Sequence, residues 1–145
     1  MNKQVVILQE HLPHYRLRFY ECLREELIKR GVDLKLIYSP ATSLAAVPGK
    51  LEWAKEITCK RFCKMVWQPV WQDFKDADLI VVQQETKYLI NYLLMLKAKC
   101  GKAKLAYWGH GRNFQATNPD SLPERVKRFF SRRADWWFAY NDLSQ

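Results

Sequence analysis

Gln4-Val-Val-Ile-Leu-Gln9 is an apolar run without helical period, and the periodicity changes immediately after it. Such a run reads as a strand buried on both faces, the kind found in parallel sheets, where crossover helices cover both sides. Pro13 can open a helix, because its missing N–H would be unpaired in a first turn anyway; Phe19, Leu23 and Leu27 then recur every four residues, with Tyr20 and Ile28 beside them. Arg30-Gly31 puts a cation in the last turn and a glycine where a left-handed cap falls. Asp33 to Tyr38 is the next strand, and strand, helix and strand in this order make a βαβ unit.

The alternation returns further along. Ala77-Asp78 leads into a strand over Leu79 to Val82, a helix runs from about Thr86 to Lys99, and Ala103 to Trp108 is another strand. Ser121-Leu-Pro-Glu124 is a capping box that starts a helix with Val126, Phe129 and Phe130 inward, and Ala134 to Tyr140 is the last strand, its Trp136-Trp137-Phe138 read as core. Residues 39–76 are the least legible: Pro40, Pro48, Gly49 and Pro69 punctuate pieces such as Leu51 to Thr58 and Met65 to Val70, which fit strands or loops. Repeated β-then-α order predicts an α/β domain, an open and mostly parallel sheet with right-handed crossovers and helices on both faces. The 145 residues suffice for one such domain, and 48% apolar side chains are enough to build its core, which excludes disorder and low-complexity readings.

In open parallel sheets, ligands bind beyond the carboxyl ends of the strands. Three loops fall there: Glu10 to Arg16, Gln83 to Thr86, and Gly109 to Phe114; all three histidines of the chain lie on them. The first loop lacks the G-x-G-x-x-G fingerprint, so no dinucleotide cofactor is expected. His11, His14 and Arg16 are instead candidates to meet hydroxyls or phosphate near a helix N-terminus. In Trp108-Gly-His-Gly-Arg-Asn113, two glycines let the backbone approach a ligand while His110 projects toward it, and Arg112 can hold a phosphate. Histidine spacing and the absence of a carboxylate cluster argue against a metal.

Charge adds a second reading. The net charge is +9, and residues 86–119 carry six cations (Lys87, Lys97, Lys99, Lys102, Lys104 and Arg112) and no carboxylate. An anionic partner follows: phosphate, acidic lipid headgroup or nucleic acid. No nucleic-acid-binding motif accompanies the charge, so nucleic acid is not the expected partner. The longest apolar stretch, Tyr88 to Leu96, is interrupted by Asn91 and too short to span a bilayer, and Met1-Asn-Lys leads straight into a strand; the expected location is the cytoplasm. Cys22, Cys59, Cys63 and Cys100 are expected to be reduced thiols packed as small apolar groups.

His11-Leu-Pro-His-Tyr-Arg16 with Phe19-Tyr-Glu and Leu23, then Tyr107 to Gln115 (YWGHGRNFQ), then Arg125 to Arg133 with Ala134-Asp135 and Phe138-Ala-Tyr140, resemble the amino-terminal lobe of bacterial glycosyltransferases of family four. The resemblance leaves residues 39–76 uncovered. It implies the acceptor-side, Rossmann-like lobe of a two-lobed GT-B enzyme that retains anomeric configuration and moves a sugar from a nucleotide-sugar donor to a saccharide or lipid-linked acceptor, without metal or cofactor. It places His110 near the reacting centre and Gly109 and Gly111 close to substrate. With Glu85 as a rim carboxylate, the expected catalytic residues are His110 and Glu85, and the expected substrate-binding residues are His11, His14, Tyr15, Arg16, Gly109, Gly111, Arg112 and Asn113. Family members continue into a donor lobe with an E-x7-E motif; nothing follows Gln145 here, so the expectation is a single-lobe fragment whose donor contacts lie mainly elsewhere. Many similar transferases act at the inner leaflet, which implies peripheral attachment of the basic helix faces to an anionic membrane. The competing reading is a non-catalytic basic module that binds a membrane surface, a protein partner or nucleic acid.

Overall fold

The computed structural model describes residues 2–40, 51–101, 103–109, 125, 128, 129 and 132–139. In chain order they form β1 (Lys3–His11), α1 (His14–Lys29), β2 (Val32–Ser39), β3 (Ala54–Glu56), β4 (Lys60–Phe62), β5 (Met65–Trp67), a 3-10 turn (Trp71–Phe74), β6 (Leu79–Gln83), α2 (Leu89–Cys100), β7 (Lys104–Gly109) and β8 (Trp136–Ala139). Six strands make one all-parallel sheet in the order β3-β2-β1-β6-β7-β8, and β4 and β5 form a separate antiparallel hairpin. Counting sheet strands alone, this is the doubly wound, Rossmann-like order 3-2-1-4-5-6, with its direction reversing between β1 and β6.

The expected continuous apolar strand is observed: Val6, Ile7 and Leu8 are all buried, in two different cores. Ile7 joins Tyr20, Leu34, Leu36, Tyr38 and Val81 on the α1 side, while Val6 and Leu8 join Ile80, Val82, Ile90 and Leu94 on the α2 side. Leftward and rightward right-handed crossovers thus put their helices on opposite faces. Helix α1 ends as its sequence dictates, with Gly31 at φ +68° and its N–H on Ile28 O at 2.9 Å. Pro13 precedes the first helical turn as the cap residue rather than occupying it.

Two repeated Ala-Asp pairs close the amino-terminal edge of the sheet. Asp78 accepts from Gln4 N at 2.8 Å, and Asp135 accepts from Leu105 N at 2.9 Å, each tying a strand start to its neighbour. These bonds leave the carboxyl edge as the end free for chemistry.

Several expectations change. Phe19 does not lie inward with Leu23 and Leu27; Tyr20 is the fully buried aromatic, and Phe19 lines an apolar groove of about 440 Å³ with Leu23, Leu27, Trp108 and Phe138. Trp136 and Phe138 are exposed on the edge strand β8, Phe138 in the groove it shares with α1; Trp137, its ring centroid 5.4 Å from that of Tyr107, packs against the α2-side core. Of the thiols, only Cys59 is half-buried; Cys22, Cys63 and Cys100 are exposed. The helix of residues 121–133 falls largely outside the described residues. Among the described residues no helix is long and apolar enough to cross a membrane.

Candidate functional site

The carboxyl ends of β1 and β6 flank the point where strand order reverses, and there β1 is irregular. Leu8 pairs with Ile37 and His11 with Ser39, so one extra residue is accommodated at Gln9-Glu10. Such a bulge re-aims side chains. Gln9 is 1% exposed, and both its amide atoms lack a hydrogen-bond partner among the described residues. Glu10, on the same side as Tyr88, is the centre of a polar cluster.

Glu10 is 6% exposed, and its carboxylate takes four approaches. Arg61 from β4 reaches Oε1 at 2.6 Å, and His11 Nε2 stands 3.7 Å from the same oxygen. Lys87 reaches Oε2 at 2.8 Å, and the Tyr88 hydroxyl donates to that oxygen as well. The Glu10 N–H donates to Gln83 Oε1 at 2.8 Å, which fixes β1 against β6. Burial alone would raise the Glu10 pKa; hydrogen bonds from Lys87 and Tyr88, the Lys87 charge and Arg61 outweigh it and hold the carboxyl at about 2. For Lys87, burial opposes the charge, but its bonds to Glu10 and Glu85 prevail and raise its pKa. Tyr88 is pushed well above the usual phenol range by burial and by Glu10. Glu10 is therefore a carboxylate at neutral pH, its oxygens engaged by Arg61, Lys87 and Tyr88.

Glu85 is the second carboxylate. Its side chain is about half exposed, and Lys87 Nζ bridges to it at 2.9 Å, so one ammonium links the buried and the exposed acid. Buried Asn91 in α2 donates to the carbonyls of Gln83 and Glu85 at 2.9 and 3.3 Å, which pins this loop to the helix. On the neighbouring strand, Gly109 is buried, and a Cβ there would lie 3.3 Å from Gln84 Cβ; Gln84 N donates to Trp108 O at 3.1 Å. Glycine lets the end of β7 run close beside the Gln83–Glu85 loop.

The structure brings His11, Glu85 and Gly109 to the carboxyl ends of the three adjacent strands β1, β6 and β7. His14 and Tyr15 are exposed on the first turn of α1, their rings edge to face at 5.9 Å. Arg16 is half-buried, its guanidinium 5.8 Å from the Tyr15 ring and 6.0 Å from Trp108, which links this turn to the end of β7. His110, Gly111, Arg112 and Asn113 lie outside the described residues. Sequence reasoning missed Glu10 as a hub and its partners Arg61, Lys87 and Tyr88. A carboxylate ending an otherwise apolar strand was the available signal for Glu10. Nothing in the sequence could pair it with residues 51, 77 and 78 positions away. Among the described residues no three His, Cys, Asp or Glu side chains converge to hold a metal ion. No protein-family model matches the chain, and no curated protein matches it significantly.

Proposed function

We propose that this chain is the acceptor-side lobe of a retaining glycosyltransferase, which orients the hydroxyl of a saccharide or lipid-linked acceptor for attack on a nucleotide sugar. The observation that carries the reading is the polar cluster at the reversal of strand order. A buried carboxylate fixes Lys87 and Arg61 there, with Glu85 and His11 on the exposed side. Paired carboxylate, ammonium and imidazole groups on a rim suit a polyhydroxyl ligand, since each hydroxyl both donates and accepts. Glu85 accepts from an acceptor hydroxyl, and Lys87, held by Glu10, donates to its neighbour. Gly109 lets substrate backbone contact form beside them, and His110, from the resemblance, meets the donor sugar. Stabilisation of the leaving diphosphate belongs to a donor lobe, so this lobe contributes orientation and exclusion of water.

The test is sugar transfer from radiolabelled nucleotide sugars into cell-envelope extracts by the natural gene product. His110→Ala should lower turnover by roughly two orders of magnitude with melting unchanged, the scale of losing one positioned group at a reacting centre. The 145-residue chain alone should turn over no nucleotide sugar. Parent-like activity in the variant would return His110 to an ordinary turn residue, and turnover by this chain alone would contradict the lobe assignment.

A further inference from the structure

Arg61 enters the rim from the β4–β5 hairpin, and both its backbone and its side chain are fixed there. Its cross-strand partner Val66 is buried and donates through N to Lys87 O at 2.8 Å, which ties the hairpin to the loop after β6. Arg61 Nη2 donates to Glu10 Oε1 at 2.6 Å. A guanidinium carries five N–H donors in a rigid plane, and this is the only bond or ion pair that Arg61 makes among the described residues. Its side chain is 59% exposed, so the remaining donors meet solvent in an orientation that Glu10 has already set.

Lys87 is placed differently. It lies between two acids, Glu10 at 2.8 Å and Glu85 at 2.9 Å, so its charge is matched within the protein. One cation compensates a buried carboxylate, and Lys87 with the Tyr88 hydroxyl already occupies Glu10 Oε2. Arg61 is the second cation on that acid and the more exposed of the two. Other cations are also engaged: Lys97, expected from sequence to face an anionic leaflet, donates to Phe74 O and lies over the Trp71 ring; Lys104 pairs with Asp135 at 2.9 Å; Lys35 and Lys55 hold buried Asp73. Arg61 thus combines a fixed position, unused donors and exposure at the rim.

We propose that Arg61 selects an acceptor bearing an anionic substituent, a uronate carboxylate or a phosphate ester, and holds it through the unused edge of its guanidinium while Glu85 and Lys87 meet neighbouring hydroxyls. This rests on the reading of the rim as an acceptor site, and it narrows the acceptor from any polyhydroxyl ligand to an acidic one. Carboxylate and phosphate each present two oxygens that match two parallel N–H groups of a guanidinium, a stronger and more directional contact than a neutral hydroxyl makes. Glu85, half-exposed beside Lys87, repels an anion from its own side of the rim, which leaves the Arg61 side for the charged substituent and the Glu85 side for hydroxyls.

The experiment is titration calorimetry of the full chain with two matched pairs of probes: an oligogalacturonide against its methyl ester, and an oligomannoside ending in mannose 6-phosphate against the same oligomannoside without phosphate. At least one acidic form should bind about tenfold more tightly than its neutral counterpart, and the pair that shows the preference identifies the substituent as carboxylate or phosphate. Arg61→Gln should reduce that preference to within about twofold and leave the affinity for the neutral probe within about twofold of the parent. A hairpin that merely holds the rim together would instead lower both affinities equally. Melting curves verify that the variant folds; Arg61→Lys, with a cation on Glu10 but no planar fork, replaces it otherwise and should lower the preference at least about threefold. Equal binding of acidic and neutral forms by the parent overturns the inference and leaves the acceptor reading in place. So does a preference that survives in Arg61→Gln, or an equal loss for both members of a pair. Failure of all four probes to bind overturns the inference and the acceptor reading together.

Discussion

Glu10 shows how a buried acid stabilises a fold when cations and a hydroxyl surround it. A carboxyl held at about 2 instead of 4.5 contributes about 3 kcal/mol of stability at neutral pH. Because the folded-state pKa is the lower one, that contribution is complete above the ordinary carboxylate value and is lost as pH falls from about 4.5 toward 2. Denaturant unfolding at a series of pH values should therefore show this acid limb in the parent. Glu10→Gln should lack it and be about 3 kcal/mol less stable at pH 7, since Lys87 and Arg61 lose their shared counter-charge. Gln9 presents the opposite case. A buried amide without partners costs about 1 to 3 kcal/mol, so Gln9→Met, near in volume, should raise stability by about 1 kcal/mol. A loss of stability in that variant would reveal a bond that the amide makes.

At the level of elements, legibility followed length and locality. The strand Gln4 to Gln9, the α1 cap at Arg30-Gly31 and the strand at Leu79 were readable because each is set by neighbours in sequence. Strands β3, β4 and β5 are three residues each, too short for any period to declare itself, and the turn of the hairpin uses Cys63 at φ 52° where sequence reasoning looks for glycine. Yet this hairpin supplies Arg61 to the site. It is attached through Arg61, through the Val66–Lys87 backbone bond, and through buried Val66 and half-buried Trp67 on the α2-side core. Arg61→Ala should speed amide exchange across β4 and β5 about tenfold while shifting the global unfolding free energy by under about 1 kcal/mol, because Arg61 is largely exposed. Unchanged exchange would place the fastening elsewhere.

Across the whole molecule, the two edges of the sheet divide the work. The amino edge is stapled by Asp78 and Asp135, and the carboxyl edge gathers Glu10, His11, Glu85, Lys87 and Gly109 where strand order reverses. The parallel topology, and with it the common rim, followed from the alternation of β and α segments in the sequence. The hub of the site did not, since Glu10 is joined to Arg61 and Lys87 only by the crossing of the chain from β3 to β6. The central claim is that this rim receives a polyhydroxyl acceptor. It is tested most directly by following backbone amide resonances of the isotopically labelled chain during titration with a panel of envelope-type oligosaccharides. The account predicts saturable shifts confined to Gln9 to His11, Gln83 to Lys87 and Gly109, lost in Glu10→Gln. Shifts confined to the hairpin tip or the α1-side groove, or no shifts with any saccharide, would contradict it.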